Sequence, residues 1–291
     1  MLQTEHQSQP ADITIYHSPD ADDAFMFYGI VSGNVELPGV NLHSALSDIE
    51  SLNHRAIRGE IDVTAISVHA LAYCGAEYAV LSCGASMGGE HYGPRLVTTD
   101  PSVMQKPNLR IGSPGELTSA TLALRLYLKE KGMDAEIVHL RFDEVEGAVA
   151  AGTVDAGVII HEGQLTLERA GFAVAVDLGA WWWNRTGGLP LPLGINVAKK
   201  SLGLPLIRQV SNALRESVMF SMRYREEALQ YALPFGRGIA LSDADEFVRM
   251  YVNERTLNLG EQEKASIVRF LREGAECGFV PAVIAPEFIA A

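Results

Sequence analysis

Two segments ninety-three residues apart carry the same local pattern, and that repetition limits the folds open to this 291-residue chain more than any other feature. In the first, a helical run ends at Ala56-Ile57-Arg58-Gly59, Asp62 follows, and Val63-Thr64-Ala65-Ile66-Ser67-Val68 reads as a buried strand. In the second, Val149-Ala150-Ala151-Gly152 leads to Asp155 and then to Ala156-Gly157-Val158-Ile159-Ile160. Glycine stops a helix because it enters the left-handed conformation without a Cβ clash, aspartate suits the turn, and a short apolar run bounded by such signals reads as a strand. Each piece is common by itself. Used twice in the same order, they point to two similar α/β lobes whose strand ends face one cleft. Ser67 then overlies Ile160, Val68 overlies His161, and Ser67, His69 and His161 are expected near the shared cleft.

The length suits two lobes, each with its own core. We expect a discontinuous first lobe over 12–94 and 196–291 and a second over 95–195. Gly88 to Pro94 reads as a flexible Gly-rich crossing before the strand Arg95–Thr98. The return crossing is Trp181 to Gly194, where paired Gly and Pro oppose regular structure and three consecutive tryptophans are expected to wall the pocket. Two further strands run into helices. Ile13–Tyr16 leads through Ser18-Pro19-Asp20-Ala21-Asp22-Asp23 to a helix over Phe25–Val31, and Leu109–Gly112 leads through Ser113-Pro114-Gly115 to a helix opened by Thr118-Ser119-Ala120. Hydroxyl and acidic residues at such helix starts serve equally as caps or as the rim of an anion site. The C-terminal third reads as packed helices over 206–227, 243–251 with Ser242 as cap, and 262–274, with Asn253–Thr256 capping a further segment. No catalytic chemistry is visible there.

A net charge of −13 argues against a nucleic-acid partner. Met1 to Ala11 is polar, without the apolar centre of a signal peptide, and no apolar run reaches spanning length. Cys74, Cys83 and Cys277 form no CxxC pair and are expected reduced, in the cytoplasm. Metal-ligand spacing, a Walker loop, a helix-opening GxGxxG and a GxSxG elbow are all missing, so metal binding is weakly supported and nucleotide cofactors and a serine hydrolase have no signature. What remains is His161, delivered by the apolar run Val158–Ile160 and followed by Glu162-Gly163-Gln164. A strand-end histidine can take a proton near pH 7, and an adjacent carboxylate can set its tautomer. A structural or ligand-binding histidine fits the same pattern.

His17-Ser18-Pro19-Asp20-Ala21-Asp22-Asp23-Ala24-Phe25-Met26-Phe27, Ile159-Ile160-His161-Glu162-Gly163-Gln164-Leu165-Thr166 and Gly188-Leu189-Pro190-Leu191-Pro192-Leu193-Gly194 together resemble the futalosine-route menaquinone biosynthesis enzymes. Tyr231-Ala232-Leu233 and Tyr251-Val252-Asn253-Glu254-Arg255-Thr256 extend the similarity over nearly the whole chain from Ile13. The His-Glu-Gly sequence after the strand looks like the 1,4-dihydroxy-6-naphthoate synthase branch rather than the chorismate dehydratase branch. The resemblance implies a type II periplasmic-binding-protein-like fold, α/β and two-lobed with an interlobe cleft, turned into a cytoplasmic carbon–carbon lyase. It implies cyclic dehypoxanthinylfutalosine, a small molecule carrying a carboxylate, as substrate, and no cofactor.

By the same resemblance His161 matches the family's catalytic base or nucleophile. Thr118, Ser119 and Ala120 match a Thr-Thr-Ala segment that holds an acidic group, with Ser119 in place of the second threonine. Ser67 matches a ligand-contacting position, and Leu193 and Gly194 belong to the Leu-Pro-Leu-Pro-Leu-Gly stretch of the pocket. In the first motif other members read Ser-Pro-Cys-Pro-Asn-Asp, so Ser18, Pro19 and Asp23 carry over. Two other readings stand beside the lyase: chorismate dehydratase, and a non-catalytic solute-binding protein, which the same fold also serves.

Overall fold

The alternating Ile13–Tyr16 run builds β1 (Ala11–His17), held in register by its buried Ile13 and Ile15. A computed structural model describes residues 11–282 and 285–290; the polar leader lies outside them except for Ala11. After the Ser18–Asp20 turn comes α1 (Ala21–Val31), apolar on most sides and buried accordingly, with Phe25, Met26 and Phe27 fully enclosed. β2 (Val40–Leu46), α2 (Ile49–Ile57), β3 (Val63–Ser67), α3 (Val68–Cys74), β4 (Tyr78–Leu81) and β5 (Ser86–Gly88) follow. The chain then crosses to β6 (Arg95–Thr98), β7 (Leu109–Ser113), α4 (Ser119–Lys131), β8 (Ala135–His139), α5 (Val145–Ala150), β9 (Ala156–Ile159) and β10 (Ala173–Asp177). It returns through α6 (Leu178–Thr186) and β11 (Leu191–Lys199). The last part comprises α7 (Leu204–Arg223), α8 (Arg225–Ala232), α9 (Leu241–Tyr251), α10 (Glu254–Leu257), α11 (Glu261–Glu276) and β12 (Phe288–Ile289).

Two mixed sheets result, one in the order β12-β4-β11-β3-β1-β2 with β5 added to β11, the other β10-β6-β9-β7-β8. They share a plan. In the first, β2, β1 and β3 are parallel and β11 runs antiparallel to β3; in the second, β8, β7 and β9 are parallel and β6 runs antiparallel to β9. The antiparallel strand of each sheet is the one that has just crossed from the other. The repeated sequence unit occupies the same place in both: β3 and β9 are counterparts, preceded by Gly59 at φ 66° and Gly152 at φ 69°. Positive φ is where glycine is needed. In open α/β sheets ligands bind beyond the carboxyl ends of the strands, and here those ends face each other.

Several local expectations change. The run expected to cross irregularly from Trp181 forms α6, because Asp177 caps it by accepting the Ala180 N–H at 3.0 Å, and the Gly-Pro segment only begins after the helix has ended. Tyr224 interrupts the helix expected over 206–227, splitting it into α7 and α8. Helix α9 starts at Leu241 with Ala240 at its N-cap, so Ser242 is not the cap, whereas Asn253 caps α10 with a reciprocal capping box. The crossing at Gly88–Pro94 is packed rather than loose: a Cβ added at Gly93 would stand 2.5 Å from Gly179 N. Among the described residues no helix is long and apolar enough to cross a membrane.

Candidate active site

Between the two sets of strand ends lies a cavity of about 100 Å³. One wall is the β1–α1 turn, which contributes Ser18, Asp20, Asp22 and Asp23. The Ser18 N–H donates to Asp23 Oδ2 at 3.0 Å and its hydroxyl to Asp20 Oδ2 at 2.8 Å, so the carboxylates close the turn on itself. Burial raises the Asp22 carboxyl well above the usual carboxylate range and Asp23 to about 6, so this wall is less readily ionised than the same carboxyls in water. Asp22 Oδ2 accepts from Ser86 Oγ at 3.3 Å. Pro19, within the same turn, does not reach the cavity surface.

The opposite wall joins β3 to the start of α4. Ser67, at the end of β3, donates its N–H to Asn53 Oδ1 at 2.8 Å and accepts from Asn53 Nδ2 at 3.1 Å. Asn53 is fully buried on α2 and also reaches Leu117 O at 3.3 Å, while Glu50 accepts the Leu117 N–H at 3.0 and 3.1 Å. The first lobe is thereby tied to the turn that opens α4. Thr118 caps α4 by accepting the Thr121 N–H at 3.2 Å. The Ser119 hydroxyl is engaged by protein, donating to Leu193 O at 2.6 Å and accepting the His69 N–H at 3.2 Å. What α4 presents to the cavity is therefore the first-turn N–H groups of Ser119 and Ala120 and the positive end of its dipole. Leu193 and Gly194 complete this wall from β11, where Gly194 pairs with Ser67. His69 is buried behind it, its Nδ1 3.1 Å from Thr118 O, and burial lowers it to about 4.

Strand β9 brings Ile160 to the cavity surface, and the next residue, His161, is 7% exposed and lies outside that surface. Its Nδ1 accepts the Gly163 N–H at 3.1 Å, which assigns the proton of the neutral ring to Nε2. Nε2 faces Glu146 Oε1 at 3.7 Å, a buried oxygen with no hydrogen-bond partner among the described residues. Burial, and then the positive Arg237, push the imidazole down to about 4, so it is neutral at physiological pH. Burial raises the Glu146 carboxyl as well.

The sequence neighbour Glu162 is not the carboxylate that faces the ring. It is 1% exposed and turned to Arg237, whose Nη1 donates to its two oxygens at 2.7 and 2.9 Å. Burial pushes the Glu162 carboxyl up and the guanidinium opposes that push. The other arm of Arg237 donates to Asp20 Oδ1 at 2.8 Å, and its carbon lies 4.6 Å from the centre of the Phe142 ring. Phe142 in turn meets the His161 ring edge-on at 6.0 Å.

The C-terminal third thus reaches the site after all. Besides Arg237, Phe247 and Tyr251 of α9 line the cavity, and the Tyr251 hydroxyl accepts from Gln164 Nε2 at 3.1 Å. Their spacing of four residues marks an apolar helix face, which signals burial without saying against what. The tryptophans do not wall the pocket. Trp182 is fully buried, donates to Ser266 Oγ at 3.0 Å and packs edge-on against Phe270, and Trp181 donates to Glu130. No group of three or more potential metal ligands occurs among the described residues.

Comparison with known proteins gives this geometry a context. A family model described as menaquinone biosynthesis matches residues 13–276. A 1,4-dihydroxy-6-naphthoate synthase of Thermus thermophilus is 37% identical over 272 residues, covering 94% of this chain and 97% of the relative. One of Streptomyces coelicolor is 34% identical over 274 residues, covering 93% and 95%. The crystal structure of an Archaeoglobus fulgidus protein superposes with a TM-score of 0.87 at 38% identity, covering 92% of this chain and 98% of that one. An alkanesulfonate-binding protein of Xanthomonas axonopodis superposes at 0.72 with 14% identity over 98% of this chain and 100% of its own, which shows the periplasmic-binding-protein-like fold alone. By its family match and its near full-length similarity to both synthases, the chain belongs to the menaquinone biosynthesis family.

Proposed function

We propose that this protein is a carbon–carbon lyase that forms 1,4-dihydroxy-6-naphthoate from cyclic dehypoxanthinylfutalosine, with His161 as the group that takes a proton or attacks. The observation that carries the reading is similarity along nearly the whole chain to two synthases named for that product. The cavity's two unlike walls support it. A substrate carboxylate is attracted to the N–H groups of Ser119 and Ala120 at the positive end of α4. The opposite wall, where burial raises the Asp22 carboxyl well above its ordinary range and Asp23 to about 6, suits neutral or hydroxylated parts of the substrate rather than its carboxylate. Ser18 adds a hydroxyl to the acidic wall, and Ser67, Leu193 and Gly194 line the cavity beside the start of α4.

His161 is neutral, as a base must be, but both ring nitrogens are occupied in this arrangement: Nδ1 by the Gly163 N–H, Nε2 by its own proton beside Glu146. Acting as a base requires the ring to rotate off Gly163, which frees Nδ1. The cavity is also smaller than the roughly 300–1,000 Å³ of ordinary ligand sites. We read both facts as a closed resting cleft. Substrate enters when the lobes, 12–94 with 196–291 and 95–195, separate, and its presence between them is what turns the ring off Gly163 before they close again. We place the enzyme in the cytoplasm, where its three free cysteines are stable as thiols.

The test is to incubate the purified protein separately with cyclic dehypoxanthinylfutalosine and with chorismate and to follow products by mass spectrometry. The naphthoate appears from the first and chorismate is unchanged. Loss of chorismate, or no turnover of either compound, contradicts the reading.

A further inference from the structure

Arg237 sits in Gly236-Arg237-Gly238 with its own backbone in the left-handed region at φ 51° and Gly238 at φ 83°, a shape that projects the side chain inward from the loop before α9. Its guanidinium is engaged on three sides. One arm grips both oxygens of Glu162, the residue that follows His161; the other holds Asp20, a cavity-lining residue of the first lobe; the plane covers Phe142, whose edge meets the His161 ring. Asp20 lies in the turn after β1 of the first sheet, Glu162 in the turn after β9 and Phe142 in the turn after β8 of the second, so the contacts span the cleft. Opening it pulls the guanidinium from one carboxylate, and Glu162, 1% exposed, is costly to leave charged without a partner.

We propose that Arg237 is a positioning residue for His161 and the latch of the closed cleft: it joins Asp20 of one lobe to Glu162 of the other and, through Glu162 and Phe142, fixes where the imidazole stands. The proposal rests on His161 being the reacting group. The charged groups around that ring are Glu146 from α5, Asp143 from the turn before α5, Glu162 from its own turn, Asp20 from the β1–α1 turn and Arg237 from the loop before α9. Arg237 is the cation among them, and it works against protonation of the ring, while Asp20 and Asp143 favour it. Burial remains the largest influence holding the ring neutral, and removing the cation takes away the second, so the histidine titrates higher.

The experiment compares Arg237→Met, Arg237→Lys and the double variant Arg237→Met/Glu162→Gln, which leaves no buried carboxylate stranded, in the full-length protein. Turnover of cyclic dehypoxanthinylfutalosine gives kcat and KM, and NMR of histidine labelled at the ring carbon gives the midpoint of His161. Arg237→Met is expected to lower kcat at least about tenfold and to raise the His161 midpoint by about one pH unit, itself a tenfold change in proton affinity. The double variant follows it, and Arg237→Lys, which keeps the charge but loses the two-pronged fork, holds the midpoint near wild type with an intermediate kcat. A kcat within about twofold of wild type in Arg237→Met, or a loss of kcat with an unmoved midpoint, overturns the proposal. If His161→Asn keeps wild-type turnover, the reading of His161 has failed instead, and the NMR midpoint still shows whether Arg237 governs the ring.

Discussion

The two Gly-x-x-Asp-strand units are built alike up to the cavity and differ in the residue just beyond it. In each, a left-handed glycine ends a helix, an aspartate secures the turn, and the strand lies third in its sheet beside an antiparallel neighbour. Their equivalent residues Ser67 and Ile160 both line the cavity. One step further, Val68 begins α3 with its side chain fully in the core, whereas His161 begins a short 3-10 turn, Glu162–Leu165, with its ring beside Glu146. A helix that starts at once commits its first residue to packing against the sheet. The tighter, shorter turn instead gives the imidazole a polar partner in the Gly163 N–H, and that is what makes a histidine tolerable there.

Exchanging function for packing at the two positions has the largest effect. His161→Ala is expected to lower kcat by about 10²- to 10⁴-fold with the circular dichroism spectrum unchanged. Its counterpart Val68→Ala is expected to cost on the order of 2 kcal/mol in urea unfolding and to leave kcat within about tenfold. Equal kcat losses at the two sites would erase the distinction.

The difference also shows in pH dependence. His161 titrates near 4 in the folded protein, against an ordinary value of 6.5 when unfolded. The unfolded chain therefore takes up the proton first, and the stability tied to the neutral ring is complete above about 6.5 and is lost as the pH falls toward 4. Between pH 7 and 5 that amounts to about 2 kcal/mol, and His161→Asn should remove this part of the decline. His17, His69 and Asp23 also titrate away from their ordinary values but are common to both proteins, so the difference between the two curves isolates His161. Superimposable curves would count against a buried neutral ring.

Smaller effects sharpen the likeness rather than the contrast. Gly152→Ala meets open space and should cost only the left-handed backbone term, about 1–2 kcal/mol. Gly59→Ala should cost at least as much, because Glu77 Oε2 stands 3.2 Å from the added Cβ. Asp155 accepts the Arg110 N–H at 2.9 Å and Lys106 Nζ at 2.8 Å, whereas the more exposed Asp62 pairs with Lys199 Nζ at 3.1 Å. Asp155→Ala is therefore expected to cost about 1 kcal/mol and Asp62→Ala less than about 0.5 kcal/mol, both read by chemical denaturation. A reversed order would mean that the two turns are secured differently.

What the sequence reveals follows the range of the interactions. Strands β3, β6 and β9, the cap at Thr118 and the duplicated unit are local patterns of apolar runs, glycines and hydroxyls, and they are legible. Ser67 is legible as a cleft residue from its strand end, while Ser18, Asp23 and Ala120, which also line the cavity, are reached through the family resemblance. Long-range partners are not. Glu162 sits next to His161 in the chain yet pairs with Arg237, seventy-five residues on, and Glu146 of α5 is the carboxylate that faces the ring. Phe247 and Tyr251 read as one buried helix face, and nothing local tells that the face meets a cavity rather than a core. The three tryptophans stand next to glycines and prolines that signal irregular structure only after Thr186, while the Asp177 cap before them starts a regular helix.

A crystal structure of the His161→Asn protein soaked with cyclic dehypoxanthinylfutalosine is the most direct test of where the chemistry occurs. The predicted result is a ligand in the interlobe cavity with its carboxylate on the Ser119 and Ala120 N–H groups and its reacting ring within reach of position 161. A ligand seated outside that cavity, or one whose carboxylate lies at Asp22 and Asp23 with position 161 out of reach, would contradict it.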